Sequence, residues 1–431
     1  MIGEAWSNDS LRISGIEDLK ELIEMEKTIT MKTNDVIAQV ITFLILTVGI
    51  LCFQFSSLWG ILVWGIFIPF IVVNWYITRR KPVFQINKSI LYGLVFFYIL
   101  LLLSGVINKD WISVRKGFHY FLCAVPMFMM IYMKQNFHVD KAIQGGILFS
   151  SFVLCVVGVF RWDQSTPPNM LSIYPQHNSF GMALELIIPF LCVGVFKTRN
   201  TIIKRLWGAL FVTSIVCIYL SGSRGAILGL GTGIFLSVIT YIWIHRKKIL
   251  LKVQLVSIAA CIMVLFVSVY AVLGVTSYRN NAGGGERVMM LEASYDMWKD
   301  HKLVGIGMAH WPENYYGPYR PVGQREIGLT MPHNMFMYYL STTGVMGIIG
   351  YICYLSLTLV GLIAMMKRDD HNYELTAGMV IFYALAIHGL FDGTLIEARI
   401  AKVYFMLLGL AIASCGKCKI NGCKIRIIGE K

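Results

Sequence analysis

Three residues place charge or a titratable ring where an otherwise apolar chain breaks: Arg224 in LSGSRGAILG, Arg287 in GGGERVMMLEASYDMW and His333 in MPHNMFMYYLSTTGVMG. An imidazole exchanges a proton near neutral pH, so His333 suits acid or base work. Charges close to hydrocarbon are costly and usually face a partner or a water-filled cavity. Each residue also has a plainer reading. Arg224 could snorkel to lipid headgroups. Arg287 could be a solvated charge paired with Glu286 or Glu292, and His333 a boundary residue hydrogen-bonded to backbone. After His333, Gly344 and Gly347 stand three apart, a spacing that lets a helix pack closely on a neighbour.

The elements that must position these groups are membrane helices. The chain has 431 residues, 56% hydrophobic and only 14% charged, with mean hydropathy +0.64. A soluble domain has about 25% charged residues. Apolar blocks of roughly 17–25 residues recur, the length that crosses about 30 Å of hydrocarbon as a helix. They fall at 36–55, 58–77, 90–107, 118–134, 142–160, 179–196, 206–221, 226–244, 251–274, 344–366, 377–392 and 399–415. The expected fold class is therefore all-α, a polytopic membrane protein of about twelve transmembrane helices with one large extracytoplasmic loop containing short helices.

Five parts follow from that count. They are a cytoplasmic N-terminal segment 1–35, helices 1–9 over 36–274, the large loop 275–333, helices 10–12 over 334–415, and a basic cytoplasmic tail 416–431. Lys and Arg in short loops set the orientation. Arg79-Arg80-Lys81, Lys197 to Arg205, Arg246-Lys247-Lys248 and Lys367-Arg368 mark the cytoplasmic side. The net charge of +14 is thus a topology signal. Its cations are spread among loops, which argues against nucleic-acid binding.

Other features carry less. Segment 1–35 fits a short amphipathic helix around Ile16, Leu19, Leu22 and Ile23, or a start placed too early, with Met31 opening MKTNDVIAQV. Cys415, Cys418 and Cys423 lack a fourth ligand for a structural zinc site. Gly283-Gly284-Gly285 reads as a bend in the outer loop, since it opens no phosphate-binding motif.

In order along the chain, Ser-Arg-Gly-Ala at 223–226, an Arg opening the large loop, and His333-Asn334 followed by Gly344 and Gly347 resemble the bacterial O-antigen ligase and polymerase superfamily. Trp298, Asp300, Leu303, Gly305-Ile306-Gly307 and Trp311 within the loop resemble it as well, as do Gln176 to Gly181 upstream. The likeness covers roughly 140–392 and is nearest to the ligases.

That resemblance implies a glycosyltransferase of the cytoplasmic (inner) membrane with its active site on the periplasmic side. Such an enzyme moves a glycan from undecaprenyl pyrophosphate to a hydroxyl, with inversion and without metal, cofactor or nucleotide sugar. The expected partners are that donor, a lipid A core or other glycan acceptor, and the bilayer. Within the resemblance, Arg224 and Arg287 meet the pyrophosphate, whose oxygens a guanidinium fork suits. His333 is the base or the acceptor clamp, with Asn334 holding its ring. His177 and Asn178 either line the cavity or cap a loop, and Arg115 and Arg161 meet lipid phosphate or headgroups. Asp392 is expected to make a structural hydrogen bond, Gly225, Gly229 and Gly233 to pack helices, and Trp311, Tyr315, Tyr316 and Tyr319 to stack on sugars or anchor at the interface.

A repeat-unit polymerase shares this pattern and differs in its acceptor. A polysaccharide transporter or lipid-glycan flippase would instead place charges in mid-span, in two matched halves.

Overall fold

The computed structural model describes residues 32–51, 65–78, 83–162, 169–278, 282–369 and 371–415. The expectations for segment 1–31, for Arg79-Arg80-Lys81 and for Cys418 and Cys423 lie outside them. Long apolar runs become helices because only a helix satisfies every backbone group within one segment in lipid. The first are α1 (Lys32–Leu51), α2 (Ile68–Thr78), α3 (Lys88–Ile107), α4 (Trp111–Leu122) and α5 (Val125–Asn136). Then come α6 (Asp140–Phe160), α7 (His177–Lys197), α8 (Thr201–Leu220), α9 (Arg224–His245) and α10 (Leu251–Tyr278). The loop region holds α11 (Ala282–Asp300) and α12 (Trp311–Tyr316), and α13 (Met335–Arg368), α14 (Tyr373–His388) and α15 (Ala398–Ser414) complete the chain.

Eight of these helices are long and apolar enough to cross a membrane by length and composition. The protein is an all-α polytopic membrane protein. The span expected at 118–134 is instead two helices, α4 and α5, parted at Cys123-Ala124. Pro126, in the first turn of α5, has no N–H to give the Leu122 carbonyl, so one continuous helix cannot form there. In the loop region α10 runs on to Tyr278, and α11 and the short α12 follow it.

Burial orders the bundle. From Ile400 to Ala413 nearly every residue of α15 is buried, the mark of a central helix. It packs against α5, α14 and α7. In contrast, α10 exposes Val256, Met263, Phe266 and Tyr270, which suits a lipid-facing position.

The longest helix, α13, is interrupted. Gly344 has φ 66 and ψ −158, a backbone open to glycine alone. Residues 345–368 beyond it span about 36 Å at the helical rise, enough to cross the bilayer by themselves. The interruption orphans four backbone groups, and the loop before α13 satisfies them. Val345 and Met346 N–H donate to the Lys302 and Leu303 carbonyls (2.9 and 3.3 Å), while Ile306 and Gly307 N–H donate to the Ser341 and Thr342 carbonyls (3.0 and 2.9 Å).

A Cβ on Gly344 would overlap the Leu303 carbonyl, and one on Gly305 (φ 68) would overlap the Thr342–Thr343 peptide. The close helix contact expected at Gly344 and Gly347 is therefore contact with loop backbone at the first. At the second, the missing side chain leaves room for Thr343. Gly347 also faces Leu101 of α3, and Gly350 against Phe97 and Gly93 against Leu357 continue the packing of α13 on α3.

The loop is also clamped from α3 and α4. Ser104 Oγ donates to the Val304 carbonyl at 2.8 Å, Lys116 Nζ and Tyr338 Oη both donate to the Met308 carbonyl, and Ala309 N–H donates to Ser113 Oγ. Inside the loop, Trp311 and Tyr315 are fully buried and stacked at 4.8 Å among Met290, Ala293 and Met297. They form its core, which corrects the expectation that they stack on sugars or sit at the interface. Tyr316 and Tyr319 spend their hydroxyls on the Leu329 N–H and on Asp300.

Gly344→Ala should lower stability by about 1–3 kcal/mol from backbone strain alone, and by more from the overlap. Gly208→Ala is the control, because nothing lies within 4 Å of its Cβ position in α8 and alanine favours helix by about 1 kcal/mol. Thermal unfolding in detergent compares the two. A Gly344→Ala midpoint equal to that of Gly208→Ala would refute the role given to the splice.

Candidate functional site

His333 sits at φ 48, one of three non-glycine residues with positive φ among those described. That conformation costs a side-chain-bearing residue about 1 kcal/mol or more, and Asp392 holds it in place. The His333 Nδ1 lies 2.8 Å from Asp392 Oδ1. A carboxylate only accepts, so Nδ1 carries the proton and Nε2 is left as the basic nitrogen. The ring is about a quarter exposed and the carboxylate is buried.

Asp392 is the hub of the site. Its Oδ1 also accepts from the Gly393 N–H at 2.8 Å, and its Oδ2 accepts from Asn178 Nδ2 at 2.9 Å. Burial would raise this carboxyl. The His333 hydrogen bond and charge, the charge of His388 and the Gly393 N–H outweigh it and hold the group down at about 2. The ring is thus gripped from the turn after α14, and the hydrogen bond expected of Asp392 lands on His333.

Asn334 does not hold the ring. Its Oδ1 caps α13 by accepting from Met337 N–H (2.9 Å), and its Nδ2 donates to the Leu390 carbonyl at 3.0 Å. N-capping needs that oxygen. Asn334 N-caps the segment that follows His333 and ties it to the turn bearing Asp392, and Met335 N–H on the Gly389 carbonyl (2.7 Å) adds to the tie.

Arg224 is the first residue of α9, after a tight turn in which Gly222 has φ 68 and Ser223 Oγ accepts from Ala226 N–H. A helix N-terminus repels a cation and attracts an anion. Arg287, on α11, lies near enough for its charge to act on Arg224 and on His388. Among the described residues no carboxylate comes within ion-pairing distance of either guanidinium. Glu286, the expected partner of Arg287, turns away and accepts from Arg325 and Glu326 N–H through one oxygen (2.8 and 3.3 Å).

Three other expected residues fall outside this group. Arg161 donates to the Ser172 carbonyl and so ties its own loop. Arg115 is exposed on α4, and its neighbour Lys116 is the cation that points at the loop. His177 opens α7 half-buried beside Asn178. Beneath the site lies a pair that sequence reasoning passed over, His388 Nδ1 and Glu185 Oε2 at 2.6 Å, both buried. A lone acid in the apolar run LELII was the available signal.

The depressed Asp392 carboxyl has a pH signature. A carboxyl held near 2 against an unfolded value of about 3.9 stabilises the fold above pH 4, by on the order of 2 kcal/mol. That contribution is lost as pH falls from about 4 to 2. The stability gap between the wild type and Asp392→Asn should accordingly narrow across that window. A gap that stays constant from pH 6 to pH 2.5 would contradict the hydrogen-bonded, ionised state.

Residues 209–352 match the family described as O-antigen ligase. The match runs from within α8 through α9, the loop and the break in α13, and so contains Arg224, Arg287 and His333. No curated protein matches the chain. The matched segment holds two guanidiniums with no carboxylate partner among the described residues and a carboxylate-held imidazole, and it supports kinship of this chain with the O-antigen ligase superfamily.

Proposed function

We propose that the protein transfers a glycan from undecaprenyl pyrophosphate to an acceptor hydroxyl at the periplasmic face of the cytoplasmic membrane. The observation that carries this reading is the pairing of opposites around Asp392 and His388. A basic Nε2 on His333 is held ready on one side, and two guanidiniums without counter-ions lie within charge range on the other. A diphosphate leaving group supplies the missing negative charge, and a hydroxyl nucleophile supplies the proton for Nε2.

Each residue then has one duty. The acceptor hydroxyl approaches His333 Nε2 and gives up its proton as its oxygen attacks the anomeric carbon. The bond from that carbon to the pyrophosphate oxygen breaks, and the electron pair leaves with the diphosphate. Arg224 and Arg287 stabilise the charge that grows there. Fixed donors aimed at developing charge are worth roughly 3–4 kcal/mol where one is removed. Asp392 keeps the base in its Nδ1–H tautomer and stabilises the imidazolium, as a buried carboxylate does for catalytic histidines elsewhere. One displacement by one base inverts the anomeric centre, and the residues assigned here perform it without a metal. A repeat-unit polymerase would use the same groups with a second lipid-linked glycan as acceptor.

The test is transfer by purified protein in lipid nanodiscs. It is given an undecaprenyl-pyrophosphate glycan, either lipid A core or a second lipid-linked glycan, and a chelator, with no nucleotide sugar. Product should form with one of the two acceptors. His333→Ala should lose about 10²–10⁴-fold, the usual contribution of a positioned base. Arg224→Lys should also be slow, because an ammonium cannot reproduce the fork. Full rates in His333→Ala would remove the base, and absence of product with either acceptor would remove the reading.

A further inference from the structure

The ion pair Glu185–His388 lies in the core of the bundle, 203 residues apart in the chain and 2.6 Å apart in space. Its side chains are 2% and 1% exposed. Burying such a pair costs desolvation that its mutual attraction barely repays, and Glu185 Oε1 has no hydrogen-bond partner. Apolar residues of the same volume would pack this junction at no such cost. Its presence calls for a role other than cohesion.

The surroundings are built to fit it. A Cβ on Gly225 would overlap His388 Nε2, and one on Gly229 would overlap Glu185 Oε1. The two glycines of α9 therefore form the wall of the pair's chamber, and the first is the residue after Arg224. Packing of α9 on α14, expected from the glycine spacing, is present, and its third member, Gly233, meets Val380 and Ala384 of α14. Pro189, four residues after Glu185 in α7, cannot give the Glu185 carbonyl its helical N–H.

On its other side His388 ends α14 and begins the turn that carries the site. Its carbonyl accepts from Phe391 and Asp392 N–H at 2.8 and 3.0 Å. The imidazole thus leans on the residue next to Arg224 while its own backbone holds Asp392, which holds His333. The charged groups facing the pair are Asp392 from that turn and Arg287 from α11, with Arg224 beginning the helix that walls it.

From this juxtaposition we infer that Glu185 and His388 are positioning residues for the transfer reaction. The pair fixes the spacing between the cation Arg224, which meets the leaving diphosphate, and the base His333, which meets the acceptor. Glu185 sets the imidazole's rotamer and tautomer, the imidazole sets where α9 begins relative to the end of α14, and both reacting partners inherit that spacing. This inference rests on the glycosyl-transfer reading above.

Wild-type protein, Glu185→Gln, His388→Ala, Gly225→Ala and the double variant Gly225→Ala/His388→Ala are assayed in nanodiscs for kcat, donor KM and unfolding midpoint. Glu185→Gln and His388→Ala should lose about 10–100-fold in kcat, the range for residues that orient a reacting group, with donor KM moved far less. Gly225→Ala crowds the imidazole and should lose both activity and stability. The double variant should recover the stability, since the Cβ now has space, and not the activity.

Recovery of both, or kcat per folded molecule unchanged in Glu185→Gln and His388→Ala, would make the pair a packing element and overturn the inference. Wild-type protein without transfer activity would instead overturn the reading on which it rests. Should His388→Ala fail to fold, the kcat of Glu185→Gln and of Gly225→Ala decides in the same terms.

Discussion

A helix broken at the edge of a membrane must find partners for the backbone groups the break exposes, because lipid offers none. In this protein those partners are the backbone of the loop between α11 and α13. Four hydrogen bonds exchange the Lys302–Gly307 segment with residues 341–346 of α13, and two positive-φ glycines, Gly305 and Gly344, allow the main chains to touch. The loop is consequently part of the bundle rather than a flap above it. Arg287 enters on α11, which precedes the splice, and His333 lies just before the Asn334 N-cap of the helix that receives it. The splice therefore ties the chain that follows Arg287 to the helix that follows His333 through backbone alone.

Charge organises what the backbone brings together. Five ionisable groups gather around the end of α14: Arg224, Arg287, His333, His388 and Asp392, with Glu185 beneath. Two carboxylates face two imidazoles in close pairs, and the two guanidiniums have no carboxylate among the described residues. Each carboxylate accepts a hydrogen bond from its imidazole inside protein, where the attraction is stronger than in water. The groups left without a close partner among the described residues are both cations. Asp392 is not free to pair with them, since both its oxygens are taken by His333, Gly393 and Asn178.

Much of this was legible in the sequence, and the limits follow from the reach of local patterns. Hydrophobic blocks located the helices because length and apolarity act within one segment. Pro126 still divided one expected span, since composition alone ignores a missing N–H. Arg224, Arg287 and His333 stood out because charge at a boundary is costly wherever it occurs. Their holders did not: Asp392 lies 59 residues from His333 and 214 from Asn178, and no periodicity links such positions. Asn334 was misread because an Asn after a His fits a ring-holder as well as an N-cap, and only the φ, ψ of the turn separates the two. Trp311 and Tyr315 were misread for a related reason. Aromatics in a loop suggest sugar stacking until the loop proves to have a core of its own.

The division between the segment that matches the family and the rest of the chain has a physical basis. Residues 209–352 contain the three groups assigned to the reacting atoms, together with the splice. Asp392, His388, Glu185 and Asn178 all fall outside it, on α7, on α14 and on the turn after α14, and in the proposed reading they act by holding. Under the proposed reading a base and two phosphate-binding cations must be those residue types at those places, since imidazole and guanidinium have no chemical equivalents. A holder need only present an acceptor at the right distance, which different helices and different carboxylates can do. Here the holders come from helices and a turn far away in sequence. The same three reacting groups could therefore sit in bundles whose supporting residues differ, provided that the spacing between base and cations is preserved.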